Sequence, residues 1–528
     1  MMWLILIGVL CVIIYYKTIR SISYWKDRGV PYKTSYPIVG SFATILFQRK
    51  AFFDYVCEMY QEFSKERYYG VYQFNLPGLY IKDLELIKKI GVKDFDQFTD
   101  HNSFTAFELD PVMTRNLFNL KGQRWRDMRS TLSPSFTGSK MKVMFSLVSD
   151  CGETLANYFL KQSEGVQEVE MKDVFTRFTN DAIASAAFGF KCNSLEDKNN
   201  EFYVMAKRAT DISGSSFIAF IMQVLFPSLA RFLKIPVIPV TVSTFFRRII
   251  KDTVHQREKD GLVRRDMIHL LMEARKGREV HEEEHLPDTG FATVKELNVT
   301  RSDKKQKLEI SDEDIAAQAF IFIFGGFDTS SSLASFIGYE LAMNSDIQVK
   351  LQEEIDNTLN ECDGKLTYEA LHKMKYMDMV VSETLRKWPP GFQSDRVCVK
   401  DYLIEPENPW EKALLIEKGT MVLFPVVAIH RDPQYFPNPD VFDPERFNDE
   451  NKNQIKPYSY LPFGIGPRSC IASRFALMQN KILFFHLLSK FDIVRTEKTP
   501  FPLKVAKSSV TFTAEGGFWI GFKRRALK

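Results

Sequence analysis

One stretch near the C-terminus indicates the fold most strongly. Its sequence is Pro462-Phe463-Gly464-Ile465-Gly466-Pro467-Arg468-Ser469-Cys470-Ile471-Ala472. Its glycines and prolines predict a tight loop that delivers one cysteine just before a helical pattern from Ser473 to Ser489. A thiolate at a helix N-terminus is stabilised by the helix dipole and by unpaired backbone N–H groups. Gly464 and Gly466 allow the backbone to approach a flat ligand closely, and Arg468 is placed to neutralise a carboxylate on that ligand.

An ordinary loop with a buried cysteine is the alternative interpretation of this stretch. By composition alone, a match to F-x-x-G-x-R-x-C arises in a chain of this size with a probability on the order of one in a thousand. The chain has 7 cysteines, and no two show the C-x-x-C spacing of zinc ribbons or thioredoxin-type sites. The others are expected to be reduced thiols, so Cys470 is the cysteine expected to carry chemistry.

Further patterns are spread along the rest of the chain. They are W-x-x-x-R at Trp125 and Arg129, Gly325-Gly326-Phe327-Asp328-Thr329, E-x-x-R at Glu383 and Arg386, Asp395-Arg396-Val397-Cys398, and Pro444-Glu445-Arg446-Phe447. Together with the cysteine loop, these patterns resemble the cytochrome P-450 superfamily and follow that family's order. The resemblance covers essentially the whole chain. The charged stretch near residue 290 and the phrase Asp288-Thr289-Gly290-Phe291-Ala292-Thr293-Val294 look most like insect microsomal members implicated in xenobiotic metabolism.

The resemblance implies a mainly α fold with small β-sheets, in which haem lies between a long central helix and the cysteine loop. The implied cofactor is haem b with Cys470 as the axial ligand of its iron. The other implied haem-binding residues are Trp125, Arg129, Arg396, Phe463, Gly466, Arg468 and Gly326. An axial thiolate favours heterolytic cleavage of the O–O bond, so the implied activity is that of a haem-thiolate monooxygenase acting on lipophilic small molecules.

Thr329 and Asp328 are the candidate catalytic residues. Cleavage of the O–O bond requires protons at the distal oxygen, and these two polar side chains interrupt an otherwise apolar helix. The alternative for Thr329 is a helix threonine whose hydroxyl bonds back to the preceding turn. Glu383 and Arg386 share one helix face by their spacing, and the resemblance implies that Arg446 completes a structural ion-pair triad with them.

Two residues depart from the family pattern. Ala472 stands where glycine is usual two residues after the ligand, and its methyl group is expected to crowd the next helix against the cofactor. Gly325 stands where alanine is usual in the central helix. A Gly-Gly pair there is expected to make the helix easier to open, which suits a kink that binds water or dioxygen.

The hydrophobic pattern predicts a chain that is mostly helical. One helix is expected over Asp312–Met343, with Ser311 as its N-cap and Asp314 in a box-like position. A second helix is expected from Leu366 to Lys387, before a Pro-Pro pair that stops it. Strands are expected at Tyr69–Phe74, Leu79–Lys82, Met421–Val427, Ser509–Thr513 and Phe518–Phe522.

The N-terminus predicts a membrane anchor. Met2–Tyr16 carries no charge, and basic residues follow it, so the bulk of the chain is expected on the cytosolic side of the endoplasmic reticulum membrane. A cleaved signal peptide is the alternative, but no basic residue precedes the apolar run and no small-residue cleavage site follows it. The expected organisation is an anchor at 1–22, a proline-containing connector at 23–40 and a single haem-thiolate domain at 41–528, with a charged surface loop at 275–309.

Composition and charge exclude other classes of protein. With 45% hydrophobic and 13% aromatic residues, the 528-residue chain is neither disordered nor fibrous. Its 70 basic and 66 acidic residues give a net charge of +4, which is too small for a nucleic-acid binder.

The electrons for the implied reaction are expected to come from outside the chain. Gly464-Ile465-Gly466 is a near-miss to the dinucleotide-binding G-x-G-x-x-G pattern, and no P-loop is present, so no bound NADPH or flavin is expected. An NADPH–cytochrome reductase is the expected donor, with a cytochrome b-type protein as a second candidate. Lys121, Arg124 and Arg126 either form its docking patch or are a solvated charged face.

The substrate is the least specified feature. Ser213–Val240 is unusually apolar, and in the family this region forms a lid that dips into the bilayer, so lipophilic substrates that enter partly from the membrane are expected. Phe104, Phe107 and Phe118 are candidates for the substrate pocket, although aromatic residues more often belong to the ordinary core.

Three other functions are alternatives to the monooxygenase. His281-Glu282-Glu283-Glu284-His285 matches H-E-x-x-H literally, but its charged surroundings favour a solvated loop over a zinc peptidase. A haem-thiolate isomerase that rearranges peroxides would need no reductase. A membrane-anchored haem carrier or sensor would not need the Asp328–Thr329 pair.

Overall fold

The computed structural model describes residues 22–37, 39–74, 76–102, 109–136, 138–162, 164–264, 266–276, 290–294, 309–507 and 512–526. The chain divides into two compact units. The first unit comprises residues 1–103, 391–437 and 456–468, and the second comprises residues 104–390, 438–455 and 469–528. The H-E-x-x-H stretch and most of the predicted anchor and charged loop lie outside the described residues.

The first unit contains most of the β-structure. Its helices are α1 (Tyr24–Asp27), α2 (Ala43–Leu46), α3 (Phe52–Glu62), α4 (Leu84–Lys88) and α18 (Val426–His430), and its strands are β1 (Tyr68–Gln73), β2 (Leu76–Ile81), β4 (Ser394–Val397), β5 (Tyr402–Ile404), β6 (Leu414–Ile416) and β7 (Met421–Phe424). One sheet has the strand order β1-β2-β7-β4, and β5 pairs with β6 separately. In the larger sheet β2 and β7 are parallel, whereas β1–β2 and β4–β7 are antiparallel.

The predicted strand at Met421–Val427 is wrong at its C-terminal end. β7 stops at Phe424, and α18 begins at Val426. Pro425 separates the two elements, and its ring removes the backbone N–H that a continuing ladder would require. The strands predicted at Tyr69–Phe74 and Leu79–Lys82 are confirmed within three residues as β1 and β2.

The second unit is mainly helical. Its helices are α5 (Pro111–Thr114), α6 (Gly122–Leu132), α7 (Gly138–Leu160), α8 (Met171–Ile183), α9 (Glu201–Thr210), α10 (Gly214–Leu225), α11 (Pro227–Phe232), α12 (Val240–Asp260), α13 (Met267–Arg275), α14 (Asp312–Met343), α15 (Ser345–Glu361), α16 (Tyr368–Lys373), α17 (Lys375–Lys387) and α19 (Ser473–Leu488). Its strands are β3 (Gln167–Glu170), β8 (Phe491–Val494) and β9 (Trp519–Arg524), in the order β3-β9-β8. The strand predicted at Phe518–Phe522 corresponds to β9, while Ser509–Thr513 lies largely outside the described residues.

The long helix α14 forms the centre of the second unit and has the predicted bounds. The Ser311 side chain accepts from the Asp314 backbone N–H at 3.2 Å, and the Asp314 carboxylate accepts from the Ser311 N–H at 3.0 Å. This reciprocal capping box satisfies two N–H groups that the first turn otherwise leaves unpaired. α14 packs against α5, α8, α12, α17 and α19. Among the described residues it alone is long and apolar enough to cross a bilayer, and 61% of its apolar window is buried, as expected of a core helix.

The single helix predicted over Leu366–Lys387 is wrong, because the structure has α16 and α17 with extended backbone at Met374 between them. The Glu354 carboxylate, on α15, accepts the backbone N–H groups of Tyr376 and Met377, both at 2.8 Å. Glu354 thus pairs two backbone N–H groups that the first turn of α17 leaves without an intrahelical acceptor, so α17 begins as a separate helix.

Candidate active site

Cys470 lies just before α19 in the second unit. Of the cysteines that the structure describes, it alone is exposed. Burial raises the pKa of Cys470, while the Ala472 N–H and the charge of Arg129 act to lower that pKa. The thiol is therefore accessible to a ligand, and the helix terminus offsets only part of the cost of ionisation. A coordinating metal deprotonates such a thiol directly.

Trp125 and Arg129 are held on one face of α6, one turn apart. Both are buried, and Nη1 of Arg129 donates to the carbonyl oxygen of Ser469 at 2.8 Å. That carbonyl belongs to the residue before Cys470, so α6 fixes the cysteine loop. The structure brings together these three predicted residues, Trp125, Arg129 and Cys470, on neighbouring elements of the second unit.

The candidate catalytic residues lie on α14. The Thr329 hydroxyl is exposed and donates to the Gly325 carbonyl oxygen at 2.5 Å, which is the ordinary bond of a helix threonine to its preceding turn. Its oxygen lone pairs remain acceptors in this arrangement. α14 continues without a break through Gly325 and Gly326. A Cβ at Gly325 would have no neighbour within 4 Å, whereas one at Gly326 would lie 2.8 Å from Cδ1 of Ile183.

Asp328 is bound by a lysine that sequence reasoning missed. The Lys172 ammonium group, in the first turn of α8, lies 2.8 Å from Oδ1 of Asp328 and also donates to the Asp328 carbonyl oxygen at 2.9 Å. It donates in addition to the hydroxyls of Ser331 and Ser332 at 2.9 and 2.7 Å. Lys172 and Asp328 are 156 positions apart, so no local pattern in the sequence indicates the pair.

The predicted ion-pair triad is present in the second unit. Two nitrogens of Arg386 donate to the Glu383 carboxylate at 2.7 and 2.8 Å, and Nε of Arg446 lies 3.5 Å from the same carboxylate. Burial raises the pKa of Glu383, and Arg386 opposes that rise. The Arg386 guanidinium also donates to the carbonyl oxygen of Pro439 at 2.8 Å, so the triad ties α17 to the segment around residue 440.

Arg396 and Arg468 are buried in the first unit. The Arg396 guanidinium donates to the carbonyl oxygens of Asp395 and Ile465, both at 2.6 Å, and its Nε has no hydrogen-bond partner among the described residues. Burial lowers the pKa of Arg396 to about 10, and Asp395 opposes the shift. Nε of Arg468 donates to the Thr99 carbonyl oxygen at 2.7 Å.

The loop glycines serve contacts within the first unit. Gly466 has φ +68°, and a Cβ there would lie 1.9 Å from the carbonyl oxygen of Gly91. A Cβ at Gly91 would in turn lie 2.9 Å from Cγ2 of Ile465. Gly466 is therefore packed tightly against another stretch of backbone, and its predicted approach to a flat ligand stays a prediction. Phe463, which precedes these residues, is half-buried.

The residues predicted for the substrate pocket and for the docking patch are partly exposed or lie outside the described residues. Phe104 and Phe107 lie outside the described residues, and the Phe118 side chain is exposed. In the predicted docking patch, Lys121 is exposed, and Nη2 of Arg124 lies 2.8 Å from Oδ1 of Asp314 at the start of α14. Arg124 therefore has a structural role within the second unit. The predicted membrane-contact region forms α10 and α11, with exposed apolar side chains at Ile218, Phe226, Leu229, Phe232 and Leu233.

Residues 30–520 match the family model of cytochrome P450. The chain belongs to the cytochrome P450 family. Its curated relatives include cytochrome P450 9e2 of Blattella germanica, which is 42% identical over 99% of this chain and 98% of the relative. Probable cytochrome P450 9f2 of Drosophila melanogaster is 38% identical over 95% of both chains, and cytochrome P450 6j1 of Blattella germanica is 36% identical over 96% of this chain and 94% of the relative.

Membership of the P450 family implies a haem iron cofactor with cysteine thiolate ligation and the activity of a monooxygenase, and the residues of each unit fit such a group. The second unit supplies an exposed thiol and the buried guanidinium of Arg129. The first unit supplies two buried guanidinium groups. That of Arg396 donates to two backbone carbonyls, and that of Arg468 donates to one carbonyl and lies 3.7 Å from the Asp100 carboxylate. A buried cation of this kind is stabilised by an anionic partner, and haem carries two propionates. The unpartnered Nε of Arg396 is the sharpest sign of this fit.

Proposed function

We propose that this P450 inserts one atom of dioxygen into lipophilic small molecules, with haem b bound through Cys470 and electrons supplied from NADPH by a separate reductase. The second oxygen atom leaves as water, so each turnover consumes two electrons and two protons. When bound, a haem with an axial thiolate supplies the activation of dioxygen. The observation that carries the proposal is the exposed Cys470 thiol, next to a carbonyl that Arg129 fixes at 2.8 Å.

Other residues of the chain hold the cofactor and move protons. When haem is bound, its propionates would be held by Trp125, Arg129, Arg396 and Arg468. Its macrocycle would be contacted by Phe463, Gly466 and Gly326. The Thr329 hydroxyl donates a hydrogen bond to the Gly325 carbonyl oxygen, and its own oxygen accepts a hydrogen bond from a water molecule. When the Asp328 side chain leaves Lys172 for solvent, its carboxylate takes up a proton from solvent and passes that proton to the water.

The proposed setting is the endoplasmic reticulum membrane, with residues 1–22 as an anchor. Exposed apolar side chains on α10 and α11 support a second membrane contact. Phe232 is 82% exposed and Ile218 is 65% exposed. The surfaces of soluble proteins seldom carry several such residues close together in sequence. Lipophilic substrates, among them xenobiotics, would then partition into the bilayer before they reach the enzyme. A cytochrome b-type protein is a second electron donor to be tested beside the reductase.

The test is the spectrum of the reduced protein with carbon monoxide. The full chain and a Cys362→Ser control, which changes a half-buried cysteine at the end of α15, should show the red-shifted Soret band of thiolate ligation. Cys470→Ser should lose that band. Persistence of the band in Cys470→Ser would refute Cys470 as the ligand.

Turnover distinguishes the proposed reaction from that of a peroxide-rearranging isomerase. The protein is mixed with reductase and NADPH and with a panel of lipophilic substrates, and in parallel with organic peroxides alone. Oxygenated product that requires NADPH supports the monooxygenase. Rearranged peroxide with no NADPH-dependent product would contradict the proposed reaction and favour the isomerase.

A further inference from the structure

Asp395 has a fixed set of partners in the first unit. Nδ1 of His101 lies 3.1 Å from Oδ1 of Asp395, and the backbone N–H of Asn102 donates to Oδ2 at 2.6 Å. His101 is buried. Since a carboxylate is only an acceptor, Nδ1 of His101 carries the hydrogen of this contact. Both oxygens of Asp395 are therefore engaged by two consecutive residues of one segment.

That segment, residues 97–102, lies along the edge of β4. Asp100 and Val397 form an antiparallel bridge, in which the Val397 N–H donates to the Asp100 carbonyl oxygen at 2.7 Å. The Val399 N–H donates to the Gln97 carbonyl oxygen at 2.8 Å. The His101–Asp395 contact thus adds a side-chain hydrogen bond to the two backbone hydrogen bonds that join this segment to the β4 edge.

Two buried guanidinium groups take their acceptors from this segment and from β4. Nε of Arg468 donates to the Thr99 carbonyl oxygen at 2.7 Å, two residues before His101. Nη1 of Arg396 donates at 2.6 Å to the carbonyl oxygen of Asp395, the residue that His101 binds. A displacement of either carbonyl would therefore move a guanidinium group.

We propose that His101 is a positioning residue that fixes the Thr99 and Asp395 carbonyls, and through them aims Arg468 and Arg396 at the haem propionates. This proposal rests on the proposed function, because it requires haem as the ligand. His101 acts through the two arginines and through Asp395. Its removal should weaken the retention of haem without removing the thiolate ligand.

The electrostatics of the cluster support a neutral imidazole. Burial lowers the pKa of His101, and the charges of Arg396 and Arg468 lower it further against the opposing effect of Asp395. Burial acts to raise the pKa of Asp395, but His101, Asn102 and Arg396 outweigh it, so the net shift is downward. The contact is then a neutral donor on an ionised acceptor. Asparagine places a neutral N–H close to the position of Nδ1, so it should preserve the hydrogen bond to Asp395. Leucine has no N–H and should lose that bond.

The experiment measures the rate at which haem passes from the full-length protein to excess apomyoglobin. Loss of a residue that orients the ligands of a metal cofactor typically weakens binding of that cofactor about tenfold or more. His101→Leu should therefore lose haem about tenfold faster than the unchanged protein. His101→Asn should stay within about twofold of the unchanged protein, while His101→Gln, whose amide reaches one bond farther, should resemble His101→Leu. His255→Leu is the control, because His255 makes a similar 3.2 Å contact with Asp312 but is 64% exposed. It should not alter haem loss.

A double variant separates positioning from general destabilisation. If His101 acts through Arg468 and Arg396, the fold-increase in haem loss that His101→Leu causes should be smaller in the Arg468→Lys background than in the unchanged protein. Multiplied effects in the double variant would overturn the proposal, as would haem retention in His101→Gln equal to that in His101→Asn. The two polar variants keep the comparison valid if His101→Leu does not fold. The carbon monoxide spectrum should show thiolate ligation in every variant, so a failure of the proposed function would appear separately, in the unchanged protein.

Discussion

Adjacent glycines on α14 offer a matched pair of substitutions with opposite expected outcomes. A Cβ at Gly325 would have no neighbour within 4 Å, whereas a Cβ at Gly326 would lie 2.8 Å from Cδ1 of Ile183. Both glycines are in the interior of a continuous helix, so both replacements with alanine restrict the unfolded chain to the same extent. Only the packing differs. The pair therefore isolates the effect of the surroundings of each glycine on the stability of α14.

The magnitudes follow from helix propensity and packing. Gly325→Ala should stabilise the helix by about 0.5–1 kcal/mol, the difference between glycine and alanine in a helix interior. Gly326→Ala gains the same amount but overpacks the site, which typically costs about 1–3 kcal/mol. The contact of Gly326 is with the far end of the flexible Ile183 side chain, so the lower part of that range applies. With a cost of about 1–2 kcal/mol, the net change for Gly326→Ala is expected to lie between about zero and 1.5 kcal/mol of destabilisation.

Hydrogen–deuterium exchange of peptides that cover α14 measures this local effect. A change of 1 kcal/mol alters the equilibrium constant for opening about fivefold. Amides near residue 325 should therefore exchange up to about fivefold more slowly in Gly325→Ala than in the unchanged protein. In Gly326→Ala they should exchange at the original rate or faster. Slower exchange in Gly326→Ala than in Gly325→Ala would refute the argument from packing.

Three further changes test charged groups. Lys172→Met removes the ammonium group that binds Asp328, and because both side chains keep some solvent exposure, we expect a loss of about 1–2 kcal/mol in the free energy of unfolding, measured by urea denaturation. Glu383→Gln leaves the buried Arg386 guanidinium without its charged partner, so about 3–5 kcal/mol should be lost, read from the denaturation midpoint of the haem-loaded protein. Burial lowers the pKa of His372 from 6.5 to about 4, so the folded ring stays neutral while the unfolded chain takes up a proton below pH 6.5. Stability should fall as the pH drops from 6.5 towards 4, and His372→Asn should flatten that slope.

Surface residues provide the controls for these changes. Lys375 forms an exposed ion pair with Asp449, so Lys375→Met should leave the denaturation midpoint unchanged. A loss in Lys172→Met or Glu383→Gln no larger than that in Lys375→Met would contradict the role of the buried pairs. An unaltered pH slope in His372→Asn would contradict the assignment of that titration.

Local signals in the sequence predict the helices whose ends are satisfied locally. α14 has the predicted bounds because Ser311 and Asp314 cap each other across three residues. α19 begins at the predicted Ser473 and ends one residue early. The cysteine loop was also visible, because its glycines, arginine and cysteine lie within a few residues of one another.

Features that depend on distant residues were not predictable in the same way. The break at Met374 depends on Glu354, a side chain of another helix that caps α17. The bound state of Asp328 depends on Lys172, and the contact of His101 depends on Asp395, 294 positions away. In each case the local pattern is compatible with several arrangements, and the tertiary partner selects one of them.

The contact between Gly91 and Gly466 has a consequence for the order in which this sequence can change. Alanine at Gly91 would collide with the Ile465 side chain, which a smaller residue at position 465 would relieve. Alanine at Gly466 would collide with a carbonyl oxygen of the main chain, which no substitution at position 91 removes. Gly91 is therefore epistatic with position 465, whereas Gly466 has no side-chain partner whose change would compensate for its loss. In a deep mutational scan, suppressors should exist for changes at Gly91, whereas Gly466 should be a position from which no single second-site change restores function.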